Sequence, residues 1–236
     1  MNIFNLDQVL IKHGLHRRGV LTLNHEEITG LAFEDIDPDR YLSLVLIGNI
    51  GSSFWSEFSQ SSEFTDGEAD ALDRWSRRIA DDLARQLDAR ALYPFEGPPY
   101  YPFQQWAERA EALSQSPLGL MIHAEYGLWH AYRFALLMPD LPDETGLAPV
   151  QDSPCLSCKD QPCLHSCPVD AFQAQGYEVD KCANFLNQNE QARCHEMGCE
   201  ARNACPAGVG YHYLPAQHRF HLQAFLRNRP KNRPAV

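Results

Sequence analysis

The stretch Pro-Cys-Leu-Ser-Cys-Lys-Asp-Gln-Pro-Cys-Leu-His-Ser-Cys-Pro-Val-Asp-Ala-Phe, residues 154–172, decides how this chain is read. Cys155, Cys158, Cys163 and Cys167 form C-x2-C-x4-C-x3-C, followed at once by Pro168. A second set, Cys182, Cys194, Cys199 and Cys205, forms C-x11-C-x4-C-x5-C and is closed by Pro206. All eight cysteines lie between 155 and 205. A secreted disulfide protein scatters cysteines through its core and carries an export signal. Here Asp7 precedes any usable apolar run. Clustering of this kind points to metal ligation.

The spacing suits an iron–sulfur cluster. A 4Fe–4S cube needs four thiolates, one per iron. In two-cluster proteins the cysteine of each Cys-Pro ligates the other motif's cluster. The expected sets are therefore Cys155, Cys158, Cys163 and Cys205 for one cluster, and Cys167, Cys182, Cys194 and Cys199 for the other. Two zinc sites would also use eight thiolates, but zinc ribbons usually show two C-x2-C pairs. The long first gap of the second motif leaves its ligand set open. His165 and His195 are read as flanking residues, since eight thiolates suffice.

Outward from this region, the 236 residues suggest one large domain plus a smaller one. An apolar fraction of 44% excludes disorder as the dominant state. Thirty-one acids against 20 bases give −11, which argues against a general nucleic-acid binder. The tail is the exception: Arg219, Arg227, Arg229, Lys231 and Arg233 face no acid after residue 215. No apolar run approaches the ~18 residues of a membrane span. The expectation is a soluble, cytoplasmic protein.

Residues 5–16 read as a helix and 20–23 as extended. Tyr41–Ile47 is a continuous apolar run that suits a buried central strand. Gly-Asn-Ile-Gly-Ser-Ser (48–53) lacks phosphate-loop spacing and is read as a tight turn into 54–59. Thr-Asp-Gly-Glu (65–68) reads as a capping box opening a helix to Leu87, with Leu72, Trp75, Ile79, Leu83 and Leu87 as its buried stripe. A strand at 90–95, an aromatic, proline-rich loop at 93–103 and a short helix at 104–113 follow. A hairpin is predicted from strands 119–123 and 128–138 around 124–127, placing Trp129 and Arg133 on one face. Arg133 is expected either to meet an anionic ligand or to pair with an acid such as Glu125 or Glu96. Residues 139–149 read as a connector, 217–226 as a last helix and 228–236 as a disordered tail.

At the predicted hairpin, Ser-Pro-Leu-Gly-Leu-Met-Ile-His-Ala-Glu-Tyr-Gly-Leu-Trp-His-Ala-Tyr-Arg (116–133) resembles a segment of the cobalamin-processing (decyanating) protein family. Gly119, Ile122, His123, Tyr126, Gly127, Trp129 and Arg133 carry the match, and Asp-Ala-Leu-Asp (70–73) resembles that family's D-P-x-D. Such a segment followed by a dicluster module is also how epoxyqueuosine reductases are arranged. The resemblance implies an α+β chain: a nitroreductase-like, corrinoid-processing-protein-like domain at 1–149, a two-cluster bacterial ferredoxin-like domain at 150–214, and a short helix and basic tail at 215–236.

It further implies an iron–sulfur redox protein whose two 4Fe–4S clusters pass electrons to a cofactor or a small-molecule substrate in the N-terminal domain. The cofactor is expected to be cobalamin, with flavin second, held by Tyr93, Phe95, Tyr100, Tyr101, Tyr126, Gly127, Trp129 and Arg133. The chain would be a corrinoid- or flavin-dependent oxidoreductase supplied by a low-potential donor of ferredoxin or flavodoxin type. The alternative is a ferredoxin-like electron carrier whose N-terminal domain only docks a partner. No nucleic-acid or membrane partner is expected, and tRNA is disfavoured because no helical-repeat domain follows the last cysteine.

Overall fold

Ser43–Ile50 is buried along its length except at Ile50, as a continuous apolar run dictates for a strand covered on both faces. The computed structural model describes residues 3–31, 33, 37, 39–111, 113–139, 152–173, 175–227 and 229. Its strands run in chain order as β1 (His16–Thr22), β2 (Ser43–Ile50), β3 (Arg90–Leu92), β4 (Leu113–Gln115), β5 (Met121–His123), β6 (His130–Met138), β7 (Phe172–Gln173) and β8 (Gly176–Tyr177). The chain divides into two units, Met1–Ala112 with His130–Val150, and Leu113–Trp129 with Gln151–Val236.

The first unit is built on an antiparallel sheet of order β1-β2-β6-β3. The helix Ala71–Leu87 buries Leu72, Trp75, Ile79, Leu83 and Leu87 as its periodicity requires. Trp75 packs with Phe54 and Phe58, ring centroids 5.7 and 5.6 Å away. The helix starts later than 65–68 suggests. Thr65 closes a separate turn, Ser62–Thr65, which Ser61 caps, and its hydroxyl donates back to the Ser61 carbonyl. Asp66 is occupied by the Glu68 amide and by Arg74, so no capping box forms there.

Gly48, Asn49 and Ile50 belong to β2 rather than to a loop. At Gly48 a Cβ would lie 2.1 Å from the Ala131 carbonyl oxygen, so only glycine permits this strand approach. The β2–β6 register shifts here, pairing Ile47 with Phe134 and Gly48 with Tyr132. Arg133 sits at the resulting irregularity. Its Nε donates to Asn49 Oδ1 at 2.9 Å, and its guanidinium lies 5.1 Å from the Phe54 ring centroid. The suggested acidic partners are engaged elsewhere: Glu96 with Arg77 and Glu125 with the Tyr211 hydroxyl. A second arginine, Arg18, is buried against Glu111 through two 2.9 Å hydrogen bonds.

The second unit corrects two expectations. The strands at 119–123 and 128–138 form no hairpin: β5 pairs with β4, whereas β6 pairs with β2 and β3. The bridge between His123 and Gly127 closes the intervening turn. The sequence boundary near 149 also differs from the structural division, since residues 113–129 group with the cysteine-bearing region. The reason is packing: Leu118, Ile122 and Leu128 share one buried cluster with Cys163, Ala201 and Cys205. The last helix spans Pro215–Arg227. The 139–149 connector, beyond residue 139, and the 228–236 tail, apart from Arg229, lie outside the described residues. Among the described residues no helix is long and apolar enough to cross a membrane.

Candidate metal centre

Both cysteine motifs are carried on short helical turns. Pro154–Ser157 begins with proline at its first position, where no amide donor is needed. The Ser153 hydroxyl accepts from the Cys155 amide and meets the Ser114 hydroxyl at 2.7 Å. Pro162–His165 also begins with proline, without a side-chain cap. Cys182 lies in the first turns of the helix Val179–Gln188, and Cys194 lies in Arg193–Met197.

The eight thiols surround two cavities. One is lined by Cys155, Cys158, Cys163 and Cys205, together with Leu118, Ile122, Leu128 and Pro206. The other, about 340 Å³, is lined by Cys167, Cys182, Cys194 and Cys199 with Phe172, Tyr177 and Leu186. Each cavity thus takes three cysteines of one motif and the Cys-Pro cysteine of the other. All eight are free thiols. Among the described residues, no three His, Cys, Asp or Glu side chains gather tightly enough to hold a single metal ion.

Electrostatics couples the same fours. Burial raises the Cys163 thiol pKa, and Cys205, Cys155 and Cys158 add to the effect. Burial likewise raises Cys182, Cys194 and Cys199, each of which also feels Cys167. Four thiolates in one apolar pocket repel each other and lose solvation, so they coexist only around compensating positive charge. A soft, all-sulfur donor set suits iron–sulfur clusters.

One main-chain hydrogen bond aims at a sulfur of the second cavity. The Ala171 amide donates to Cys167 Sγ at 3.3 Å. Against burial, the main-chain amides at Arg202 and Ala201 pull the Cys199 thiol pKa back down, and Tyr177 does the same for Cys182. Against these, the Glu200 carboxylate lies 3.8 Å from Cys194 Sγ. His195 bonds to the Leu186 carbonyl at 3.0 Å.

A tight backbone crossing positions the Cys205 segment. Gly127 has φ +57°, and a Cβ there would sit 2.1 Å from the Ala207 carbonyl oxygen. Tyr126, beside it, stacks on His123 at 4.2 Å. Trp129 is fully buried, its ring 4.3 Å from His212 and 4.5 Å from the Arg202 guanidinium. Burial, then Arg202, then His212 push His218 down to about 4.

The other residues expected to hold a cofactor fall in the first unit. Tyr93 is buried, bonded through its hydroxyl to Asp81, and stacked with Phe95 at 5.3 Å. Arg77 lies 4.2 Å from the Tyr93 ring centroid. Tyr100 is 65% exposed, and Tyr101 stacks with Trp106 at 6.2 Å. The structure therefore groups Tyr93 with Phe95, and Tyr126 and Gly127 with Trp129 in the second unit, while Arg133 belongs to the first unit's sheet. Trp129 precedes β6 and does not share a strand face with Arg133. The sequence reading passed over Tyr177, which no motif marks, and Arg202, which the spacing leaves as one charged residue among several.

An α+β chain with eight thiols around two cavities is the class that fold and site define. No protein-family model matches the sequence, and no curated protein matches it. Among solved structures, the chain is similar to an epoxyqueuosine reductase determined with an epoxyqueuosine-modified tRNA stem loop: 18% identity, 92% of this chain and 69% of that one, TM-score 0.45. It is similar to the epoxyqueuosine reductase of Bacillus subtilis at 18% identity, 91% and 68% coverage and TM-score 0.45. It is also similar to the C. elegans B12-trafficking protein CblC at 14% identity, 92% and 88% coverage and TM-score 0.46. These are the two groups that the motifs at 119–133 and 154–206 resemble.

Proposed function

We propose that the chain is an iron–sulfur redox protein with two 4Fe–4S clusters, one held by Cys155, Cys158, Cys163 and Cys205, the other by Cys167, Cys182, Cys194 and Cys199. The observation that carries this reading is the crossed lining of the two cavities, the ligand exchange that two-cluster proteins use. The clusters relay single electrons from a low-potential donor to a corrinoid, or to a flavin or substrate, held by the first unit. A bound corrinoid would supply the reductive chemistry. Within the first unit, the resemblance of 70–73 and of Arg133 to the decyanating family supports the corrinoid, and in the 93–103 loop Tyr100 is open to a broad ligand.

Anaerobic protein should contain about eight irons and eight sulfides per chain. Stoichiometric zinc in protein made with ample iron would overturn the reading. Cys205→Ala should damage the cluster of Cys155, Cys158 and Cys163, and Cys167→Ala the other. The reverse pattern would refute the crossed assignment. Cobalamin titrated into loaded protein should shift its visible spectrum, and Tyr100→Ala and Arg133→Ala should weaken that response. No binding at tens of micromolar would favour the carrier reading, in which the first unit only docks a partner.

A further inference from the structure

We propose that Arg202 is the counter-ion of the second cluster, and that its charge raises that cluster's reduction potential. This inference rests on the two-cluster reading above. Arg202 lies in the short helix Glu200–Asn203 and belongs to the wall of the cavity that Cys167, Cys182, Cys194 and Cys199 line. Its guanidinium packs against two rings, 4.5 Å from the Trp129 centroid and 4.6 Å from that of Tyr213. Both rings are buried. Its Nη2 donates to the Leu128 carbonyl, which fixes the head group in place.

This setting desolvates a cation without supplying an anion. The Arg202 Nε is buried with no hydrogen-bond partner, and among the described residues no carboxylate pairs with the guanidinium. Arg18 shows the contrast, since both oxygens of Glu111 hold it. A guanidinium keeps its proton at any working pH, and a buried charge left unpaired is costly. The two ring faces offset part of that cost. The remainder falls to whatever fills the cavity. Four thiolates around a 4Fe–4S core carry net negative charge, and reduction adds one electron from the donor. No proton moves in this step. A cation in the wall therefore stabilises the reduced form more than the oxidised one, because net charge sets the potential. Among the described residues the wall of the first cavity holds no arginine or lysine, so the effect centres on the second. The Glu200 carboxylate, 3.8 Å from Cys194 Sγ, acts in the opposite sense.

The test is an anaerobic redox titration of the loaded full chain, with dithionite as reductant, followed by electron paramagnetic resonance. The second cluster is the one whose signal Cys182→Ser alters. Arg202→Gln removes the charge and should make that cluster about tenfold harder to reduce, a fall of ~59 mV for one electron, while the first cluster moves less. Arg202→Lys keeps the charge but not the planar fork, and its potential should stay closer to the wild type than to the glutamine variant. If glutamine prevents the second cluster from assembling, lysine should restore it. Unchanged potentials in Arg202→Gln with both clusters intact would overturn the role of Arg202. Equal effects of lysine and glutamine, on the potential or on assembly, would also overturn it, because the charge would then not be what matters. Absence of clusters from wild-type protein would instead overturn the reading beneath it.

Discussion

Replacing Gly127 by alanine tests whether the backbone crossing at Ala207 builds the first cysteine cavity. Two costs add. A Cβ-bearing residue at φ +57° pays ~1 kcal/mol or more for the left-handed conformation. The new Cβ would also meet the Ala207 carbonyl oxygen at 2.1 Å and its carbon at 2.6 Å. These are main-chain atoms that cannot rotate away, so the overpacking falls at the upper end of about 1–3 kcal/mol. The sum is ~3–4 kcal/mol. Gly119 provides the control, because its φ is +73° but nothing lies within 4 Å of its Cβ position. Gly119→Ala should therefore cost only the backbone part. Hydrogen exchange at the amides of residues 205–211 reads the difference. At 1.4 kcal/mol per tenfold, Gly127→Ala should speed exchange by more than ~100-fold and Gly119→Ala by roughly fivefold. Iron content should fall in the first variant and hold in the second. Equal exchange rates in the two variants would refute the reasoning.

Three further outcomes follow from single contacts. Glu111→Ala strands the buried Arg18 guanidinium, whose side chain is 1% exposed, and should destabilise the first unit by about 3–5 kcal/mol in denaturant unfolding. A loss below 1 kcal/mol would mean that water reaches Arg18. Trp75→Ala empties the centre of the Phe54–Phe58–Trp75 cluster and should cost about 3–5 kcal/mol by the same measurement. Arg78 holds the Glu63 carboxyl at about 2, below its ordinary 4.5. The stability this contributes is fully present above pH 4.5 and is lost as the pH falls toward 2. With Arg78 half exposed, it amounts to about 1–2 kcal/mol. Glu63→Gln should remove that amount at pH 7 and flatten the acid limb of the stability curve; an unchanged limb would refute the assignment.

The sequence made the sheet's centre and the long helix legible because each rests on one period. An unbroken apolar run marks β2, and the Leu72-to-Leu87 stripe marks the helix. Its start was misread because Thr65 and Glu68 have capping-box spacing, yet Thr65 turns back to Ser61 and Asp66 is held by Arg74. The predicted hairpin failed for another reason. Alternation shows which residues are extended but not which strand they pair with, and β6 pairs with β2 and β3. The aromatic residues expected to wall a cofactor were chosen by type. Type alone does not distinguish the exposed Tyr100 from the fully buried Trp129.

The grouping of the cysteines around two cavities was legible where the surroundings of the aromatics were not, because motif spacing carries a geometric requirement whereas hydrophobicity carries only burial. The crossed arrangement adds a constraint that neither motif contains by itself. Cys155, Cys158 and Cys163 line their cavity together with Cys205, so the first set is complete only after the chain has passed through the whole second motif. Cys167 binds the second set to the first in the same way. Loss of either Cys-Pro cysteine must therefore disturb a cavity built mainly by the other motif. If the proposed clusters bind, that binding is also folding free energy, and the two cavities should form together. The segment 113–129 shares this dependence, since Leu118, Ile122 and Leu128 pack directly against Cys163 and Cys205. A motif that resembles part of a cofactor site in sequence is, in this chain, also part of the wall that holds the thiols in place.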